Sequence, residues 1–154
     1  MQQTFPKRFV YPFFLVHMLM FGGSGFVLAY GADGDVGFLY MHGGLAIVVY
    51  TVFYLVIFGV DAVRWMFINA ALGLVGIYTQ IGWILGFFFG RNVDDFPWYV
   101  HAVPMLYYVL YTFLLRQLVL DLTRSRDNPA RRRWVEAAYI LLSLIAYGAT
   151  LVLR

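Results

Sequence analysis

Two aspartates and a histidine lie close together at the start of a long apolar run, in the segment DDFPWYVHAVP from Asp94 to Pro104. Carboxylates and imidazoles bind metal ions, and two imidazoles on different helices can ligate haem iron. His42 falls at a similar depth in another apolar run. Asp94, Asp95, His42 and His101 are therefore candidate ligands of a haem or a metal ion.

The alternative interpretation of this segment is structural, and the sequence favours it. No paired-histidine spacing such as HxxxH occurs within one run. Asp94 or Asp95 can cap a helix that begins near Trp98, with Pro97 in its first turn. We expect no bound cofactor, with haem or a metal ion as the alternative.

His101 also begins a line of residues that share one face of a helix. Met105, Tyr108, Thr112 and Arg116 follow it by four, seven, eleven and fifteen positions. In an apolar helix such a face points to the interior of a bundle, to a water-filled path or to another subunit. The candidate polar or path-lining residues of the whole chain are His17, Asn69, Gln80, His101, Tyr108, Thr112 and Arg116.

His17 lies alone in the first apolar run. Its structural interpretation is a polar contact with another helix, and its functional interpretation is a proton-carrying site.

Enzyme motifs are missing from the sequence. There is no Gly-x-Ser-x-Gly, phosphate-binding loop, His-Glu-x-x-His or aspartate-rich motif, and no cysteine. The absence of cysteine excludes disulfides, thiolate catalysis and cysteine-bound clusters. We expect a protein that is not an enzyme.

Composition indicates the elements that must position these residues. Of 154 residues, 62% are hydrophobic and 12% are charged, and the mean hydropathy is +0.75. Soluble domains average about 45–50% apolar and about 25% charged residues. The sequence therefore predicts an integral membrane protein with a single all-α domain over residues 1–154.

Five apolar stretches are long enough, or nearly so, for the roughly 20 residues that a spanning helix needs. None of them alternates polar and apolar residues as a barrel strand does. The third is the longest and must tilt, bend or extend beyond the bilayer. The predicted spans cover residues 10–30, 38–59, 63–90, 98–122 and 134–153.

The basic residues predict how the chain is threaded. Lys7 and Arg8, Arg64, and the segment 123–133 with its five arginines fall on one side of five spans. Because arginine and lysine mark cytoplasmic loops, the N-terminus is expected inside and the C-terminus outside. Arginine outnumbers lysine ten to one, which hints at a GC-rich bacterial genome and thus at the cytoplasmic membrane.

Glycines at helical spacing predict two packing faces on the third span. Small residues let helix backbones approach closely in lipid, where apolar burial drives little association. A helix with two such faces is expected at the centre of its bundle or between protomers. One face carries Gly82, Gly86 and Gly90, and the other carries Asn69, Gly73, Gly76 and Gln80.

Short loops leave no room for a soluble domain or a nucleic-acid surface. The sequence favours an accessory or structural membrane subunit that packs against copies of itself or other membrane subunits, with lipids as its surroundings. One alternative is a small transporter or channel with a path between spans three and four. Another is a haem- or metal-binding redox subunit.

Overall fold

The computed structural model describes residues 7–31 and 35–153. These residues are helical over most of their length and contain no strand. The helices are α1 (Lys7–Phe26), α2 (Val36–Leu39), α3 (Leu45–Phe58), α4 (Val60–Leu72), α5 (Leu74–Ile84), α6 (Trp98–Leu122) and α7 (Pro129–Val152).

Four helical stretches in the described part of the chain are long and apolar enough to cross a membrane. They are Arg8–Gly31, Val36–Phe58, Trp98–Leu122 and Pro129–Val152. The pair Val60–Ala71 and Leu74–Phe89 adds a fifth if it is one bent span. The all-helical fold and its apolar spans are confirmed, while the exact count and the threading stay predictions.

The predicted third span bends by 72° between α4 and α5. Gly73 lies at the bend, where its N–H donates to the carbonyl of Asn69 at 2.9 Å. A Cβ on Gly73 would lie 3.3 Å from that same carbonyl oxygen. The expectation that this long stretch tilts, bends or extends is met by a bend at a glycine.

Aromatic contacts sort the helix ends into two groups. The Phe58 ring, at the end of α3, lies 6.4 Å from that of Tyr11 and 5.5 Å from that of Phe113. These contacts bring the beginning of α1, the end of α3 and the second half of α6 together. We call this end, which carries Arg8, Arg64 and the segment 123–133, the arginine end.

At the opposite end of the bundle, the segment after α1 lies near the segment after α5, and the turn before α3 lies near the start of α6. The Tyr30 ring lies 6.2 Å from that of Phe89, and the Tyr40 hydroxyl donates to the carbonyl of Tyr99 at 2.5 Å. Three wide π-helical turns occur at this end, Val27–Gly31, Tyr40–Gly44 and Leu85–Phe89. Such turns are rare and occur frequently at functional sites.

Helix α6 is the centre of the bundle. It packs against α1, α3, α4, α5 and α7. Half of its most apolar 18-residue stretch is buried, whereas only 6% of the corresponding stretch of α7 is buried. Within the described residues α6, and not the third span, therefore takes the central position, because it contacts more helices than the pair bent by 72° does. The alternative, that the third span lies between protomers, stays a prediction.

Candidate functional site

His101 is buried on α6 at the opposite end, and both of its ring nitrogens are bonded. Nδ1 lies 2.8 Å from the Tyr30 hydroxyl, and Nε2 lies 3.1 Å from the carbonyl oxygen of Val93. Because a carbonyl only accepts, Nε2 must carry a hydrogen. In the neutral ring Nδ1 then accepts from Tyr30. His101 thus ties the π-helical turn Val27–Gly31, which continues α1, to the 3-10 turn Val93–Asp95.

Aromatic rings surround this histidine. The rings of Phe96 and Tyr78 each lie 6.2 Å from that of His101, edge to face. The Tyr30 ring lies 5.2 Å from that of Phe96. In this arrangement His101 has no free nitrogen to offer a metal ion, and ligation would require loss of one of its two bonds.

His42 lies in a different environment, in the wide turn Tyr40–Gly44. Its Nε2 lies 3.1 Å from the Ser24 hydroxyl, which itself donates to the carbonyl of Phe21. Since Ser24 has one hydrogen, Nε2 is the donor to Ser24. The imidazole stacks on Phe38, with a centroid separation of 5.9 Å. His42 and His101 therefore have separate partners.

Asp94 and Asp95 take different roles. An Asp95 carboxylate oxygen accepts from the N–H of Asn92 at 2.8 Å and closes the 3-10 turn. Pro97 precedes the first residue of α6, and no side chain caps that helix. The expectation that Asp94 or Asp95 caps this helix is wrong, because the Asp95 side chain is engaged in the preceding turn and Asp94 is exposed.

Among residues 7–31 and 35–153, no group of three histidine, aspartate or glutamate side chains is placed to hold a metal ion. The structure does not bring His42, His101, Asp94 and Asp95 together as one ligand set. The geometry lends the redox-subunit interpretation no support.

The predicted polar face of α6 divides between two neighbours. His101 faces Tyr30 on the α1 side. Arg116 forms an ion pair with Glu136 of α7, and the carbonyl of Thr112 accepts from the Tyr139 hydroxyl at 3.1 Å. Half-buried Tyr108 lies between them in sequence. These bonds join helices to one another.

Gln80 and Gly76 connect α5 to α7. The Gln80 amide donates to the hydroxyl of Thr150 at 3.1 Å and to the carbonyl of Ala146 at 3.3 Å. A Cβ on Gly76 would lie 2.5 Å from the Tyr147 ring. The part of this predicted face that lies on α5, Gly76 and Gln80, thus contacts the last helix, whereas Asn69 does not.

The other glycine face lies differently. Gly82 is buried, but Gly86 is exposed and a Cβ there would meet nothing within 4 Å. Gly90 ends the wide turn with φ +62°, a left-handed conformation suited to glycine. No part of the described chain covers Gly86 or Gly90.

Asn69 and His17 are the remaining polar candidates. Asn69 is exposed on α4, so any partner that covers its amide comes from outside the described chain. Half-buried His17 bonds through Nδ1 to the carbonyl of Phe13 at 2.7 Å. This bond lies within its own helix, whereas the structural interpretation expected a contact with another helix.

Tyr107 fills a glycine-lined slot in the core that the sequence did not predict. A Cβ on Gly25 would lie 3.2 Å from its ring, and one on Gly43 would lie 3.6 Å from it. The Tyr107 hydroxyl is the one buried side-chain oxygen or nitrogen in the described residues without a hydrogen-bond partner. The two glycines let α1 and the turn before α3 close around this ring.

A groove of about 600 Å³ lies beside the His101 cluster. Its walls include Tyr78, Trp83 and Phe87, and Gly86 leaves it open. Asp94 and Leu153 also line it. Small-molecule sites commonly enclose about 300–1,000 Å³.

The arginine end holds a second bonded cluster. The Asp121 carboxylate accepts from the Tyr11 hydroxyl and, at 2.7 Å, from Nε of Arg126. Arg126 also donates to the Gln117 amide oxygen at 2.8 Å. Partial burial acts to lower the pKa of Arg126, but the hydrogen bond and charge of Asp121 raise it overall. No sequence pattern pointed to these contacts.

Comparison with protein-family models, with curated proteins and with solved structures finds no match for this chain.

Proposed function

We propose that this chain is a non-enzymatic, multi-pass protein of a bacterial cytoplasmic membrane and that it acts as an accessory or structural subunit. The observation that carries the proposal is the use of its intramembrane polar groups. Gln80 bonds to Thr150, His101 bonds to Tyr30, and Arg116 pairs with Glu136. A transport path along these groups would require such bonds to break, so their present role is to join helices.

The charge distribution supports a cytoplasmic N-terminus and an external C-terminus. At the arginine end, Arg126 is neutralised by Asp121 and Arg132 pairs with Glu136. Arg8, Arg64, Arg124, Arg131 and Arg133 are exposed there as well. Exposed arginines of this kind favour the cytoplasmic side of a membrane.

The outward face of α7 is the proposed packing face for a second copy. Its residues follow steps of three and four, as in a helix-packing seam. A Cβ on Gly148 would meet nothing within 4 Å, so another backbone can approach there. The seam consists of Ala138, Leu141, Ile145, Gly148 and Val152, all exposed.

Asn69 on α4 favours a partner for a separate reason. Its amide is exposed, and an uncovered polar group in lipid is costly.

The mass of the purified protein in lipid nanodiscs tests this proposal. We expect at least twice the chain mass of 17.7 kDa, and a return to the single-chain mass for Gly148→Leu. Gly23→Leu is the matched control, since Gly23 is an open, exposed helical glycine on α1. A wild-type protein that is monomeric at all concentrations, with no co-purified membrane subunit, contradicts the proposal.

A further inference from the structure

The groove at the opposite end has a composition that selects a class of ligand. One wall is aromatic, with Trp83 and Phe87 stacked at a centroid separation of 5.4 Å and an angle of 17°. Phe87 is 69% exposed. Flat aromatic faces next to open space attract organic cations and apolar chains.

Asp94 supplies a negative charge at the same groove. In the described part of the chain it forms no ion pair, whereas Asp121 pairs with Arg126 and Glu136 pairs with Arg116. Asp95, its neighbour, accepts a bond within the 3-10 turn and does not line the groove. An exposed carboxylate beside aromatic faces suits an ammonium group, which gains an ion pair and a cation–π contact.

The position of the groove favours a lipid as the source of that ammonium. It lies at the end of the bent span, where π-helical turn Leu85–Phe89 leads into the segment that carries Asp94. Phe87 and Phe88 are exposed beside it, as expected of apolar side chains that face hydrocarbon. Arg91 precedes the lining residue Asn92 and is exposed, with its guanidinium 5.0 Å from the centroid of the Phe96 ring.

We propose that this groove binds a phospholipid with an ammonium headgroup, its amine beside Asp94 and its upper acyl chain along Trp83 and Phe87. Gly86 is the opening through which the chain enters, because nothing lies within 4 Å of a Cβ there. A helix of a second copy fits this groove less well, since it would bury the Asp94 charge without a partner.

Native mass spectrometry of protein released from nanodiscs tests the proposal. The discs contain equal amounts of phosphatidylethanolamine, which carries the amine, and phosphatidylglycerol, which does not. We expect the wild type to retain about five times as much phosphatidylethanolamine as phosphatidylglycerol. Asp94→Asn brings this ratio close to one, and Gly86→Leu removes the retained lipid.

Two control variants keep the test specific. Asp61→Asn removes an exposed carboxylate at the arginine end, and Gly23→Leu adds the same side chain at another open glycine. Both should retain the amine lipid like the wild type, and circular dichroism should show all four variants folded.

Equal retention of the two lipids by the wild type overturns the proposal. An unchanged ratio in folded Asp94→Asn, or loss of a dimer in Gly86→Leu, overturns it as well.

Discussion

Tyr11, near the start of α1, donates its hydroxyl hydrogen to the Asp121 carboxylate at the end of α6, across 110 positions of sequence. Asp121 is held from the other side by Arg126. The first helix, the central helix and the loop to the last helix are therefore connected through one carboxylate. At the other end of α6, His101 forms the corresponding connection to Tyr30, in the π-helical turn that follows α1.

Tyr11→Phe should lower the free energy of unfolding by about 1–2 kcal/mol, because a partly buried hydrogen bond to a charged acceptor is lost. Tyr11 is 5% exposed, so the ring itself still packs. Denaturant titration in mild detergent, followed by circular dichroism, measures the change. Tyr111→Phe is the control, since Tyr111 is 37% exposed and should change stability by less than about 0.5 kcal/mol. Equal effects of the two variants would refute the role of the Asp121 bond.

Gly43→Ala should destabilise the protein by about 1–3 kcal/mol, the usual effect of overpacking a core. A Cβ at Gly43 would lie 2.5 Å from Cγ1 of Val103, so either α6 or the turn before α3 must shift. Gly44→Ala is the adjacent control, because a Cβ there meets nothing within 4 Å. Thermal melts of both variants in the same detergent give the comparison. If Gly44→Ala lowered the melting temperature more than Gly43→Ala did, the predicted clash between a Cβ at position 43 and Val103 would be contradicted.

The α5–α7 contact can be tested by a double-mutant cycle on Gly76 and Tyr147. Gly76→Ala should be harmful in the wild type, because its Cβ would lie 2.5 Å from the Tyr147 ring. In a Tyr147→Leu background the smaller side chain leaves room, and the same change should cost less. Unfolding free energies of the four proteins give an interaction energy of about 1 kcal/mol or more. Additive effects would mean that the two residues do not meet.

The Arg116–Glu136 pair should contribute more to stability than the Arg132–Glu136 pair. The Arg116 side chain is 23% exposed and that of Arg132 is 47% exposed. Exposed pairs within one helix contribute a few tenths of a kcal/mol, and partly buried pairs contribute more. Arg116→Met should therefore lower the unfolding free energy by about 1 kcal/mol or more, and Arg132→Met by less than half of that. Denaturant titration in one detergent measures both, and the reverse order would contradict the assignment.

The spans were predictable from the sequence because the apolar composition that a spanning helix needs lies within one continuous segment of the chain. A hydrocarbon layer demands continuous apolar helices, and the predicted boundaries lie within a few residues of most observed helix ends. The bend of the third span was left open among three possibilities, since Gly73 resembles any other helical glycine in sequence. The last helix begins at Pro129, five residues before its predicted start at Trp134, because its first turn is polar.

The bonded clusters were not predictable in the same way. Nothing near Tyr11 marks Asp121 as its partner, because their contact depends on how two helices cross. His101 was singled out for its type and depth, yet its partners Tyr30 and Val93 come from distant segments. The exposure of Gly86 likewise depends on the position of α7, which covers Gly76 instead.

We propose that the chain crosses a membrane five times, with the arginine end inside. The chain has no cysteine, so single cysteines can be introduced without background. Asp127→Cys lies at the arginine end, and Arg91→Cys and Leu151→Cys lie at the opposite end, all at exposed positions outside the proposed seam of α7. A membrane-impermeant maleimide on intact cells should label Arg91→Cys and Leu151→Cys, and should label Asp127→Cys only after permeabilisation. Labelling of Asp127→Cys in intact cells, or of Arg91→Cys and Leu151→Cys from different sides, would contradict the five-span threading.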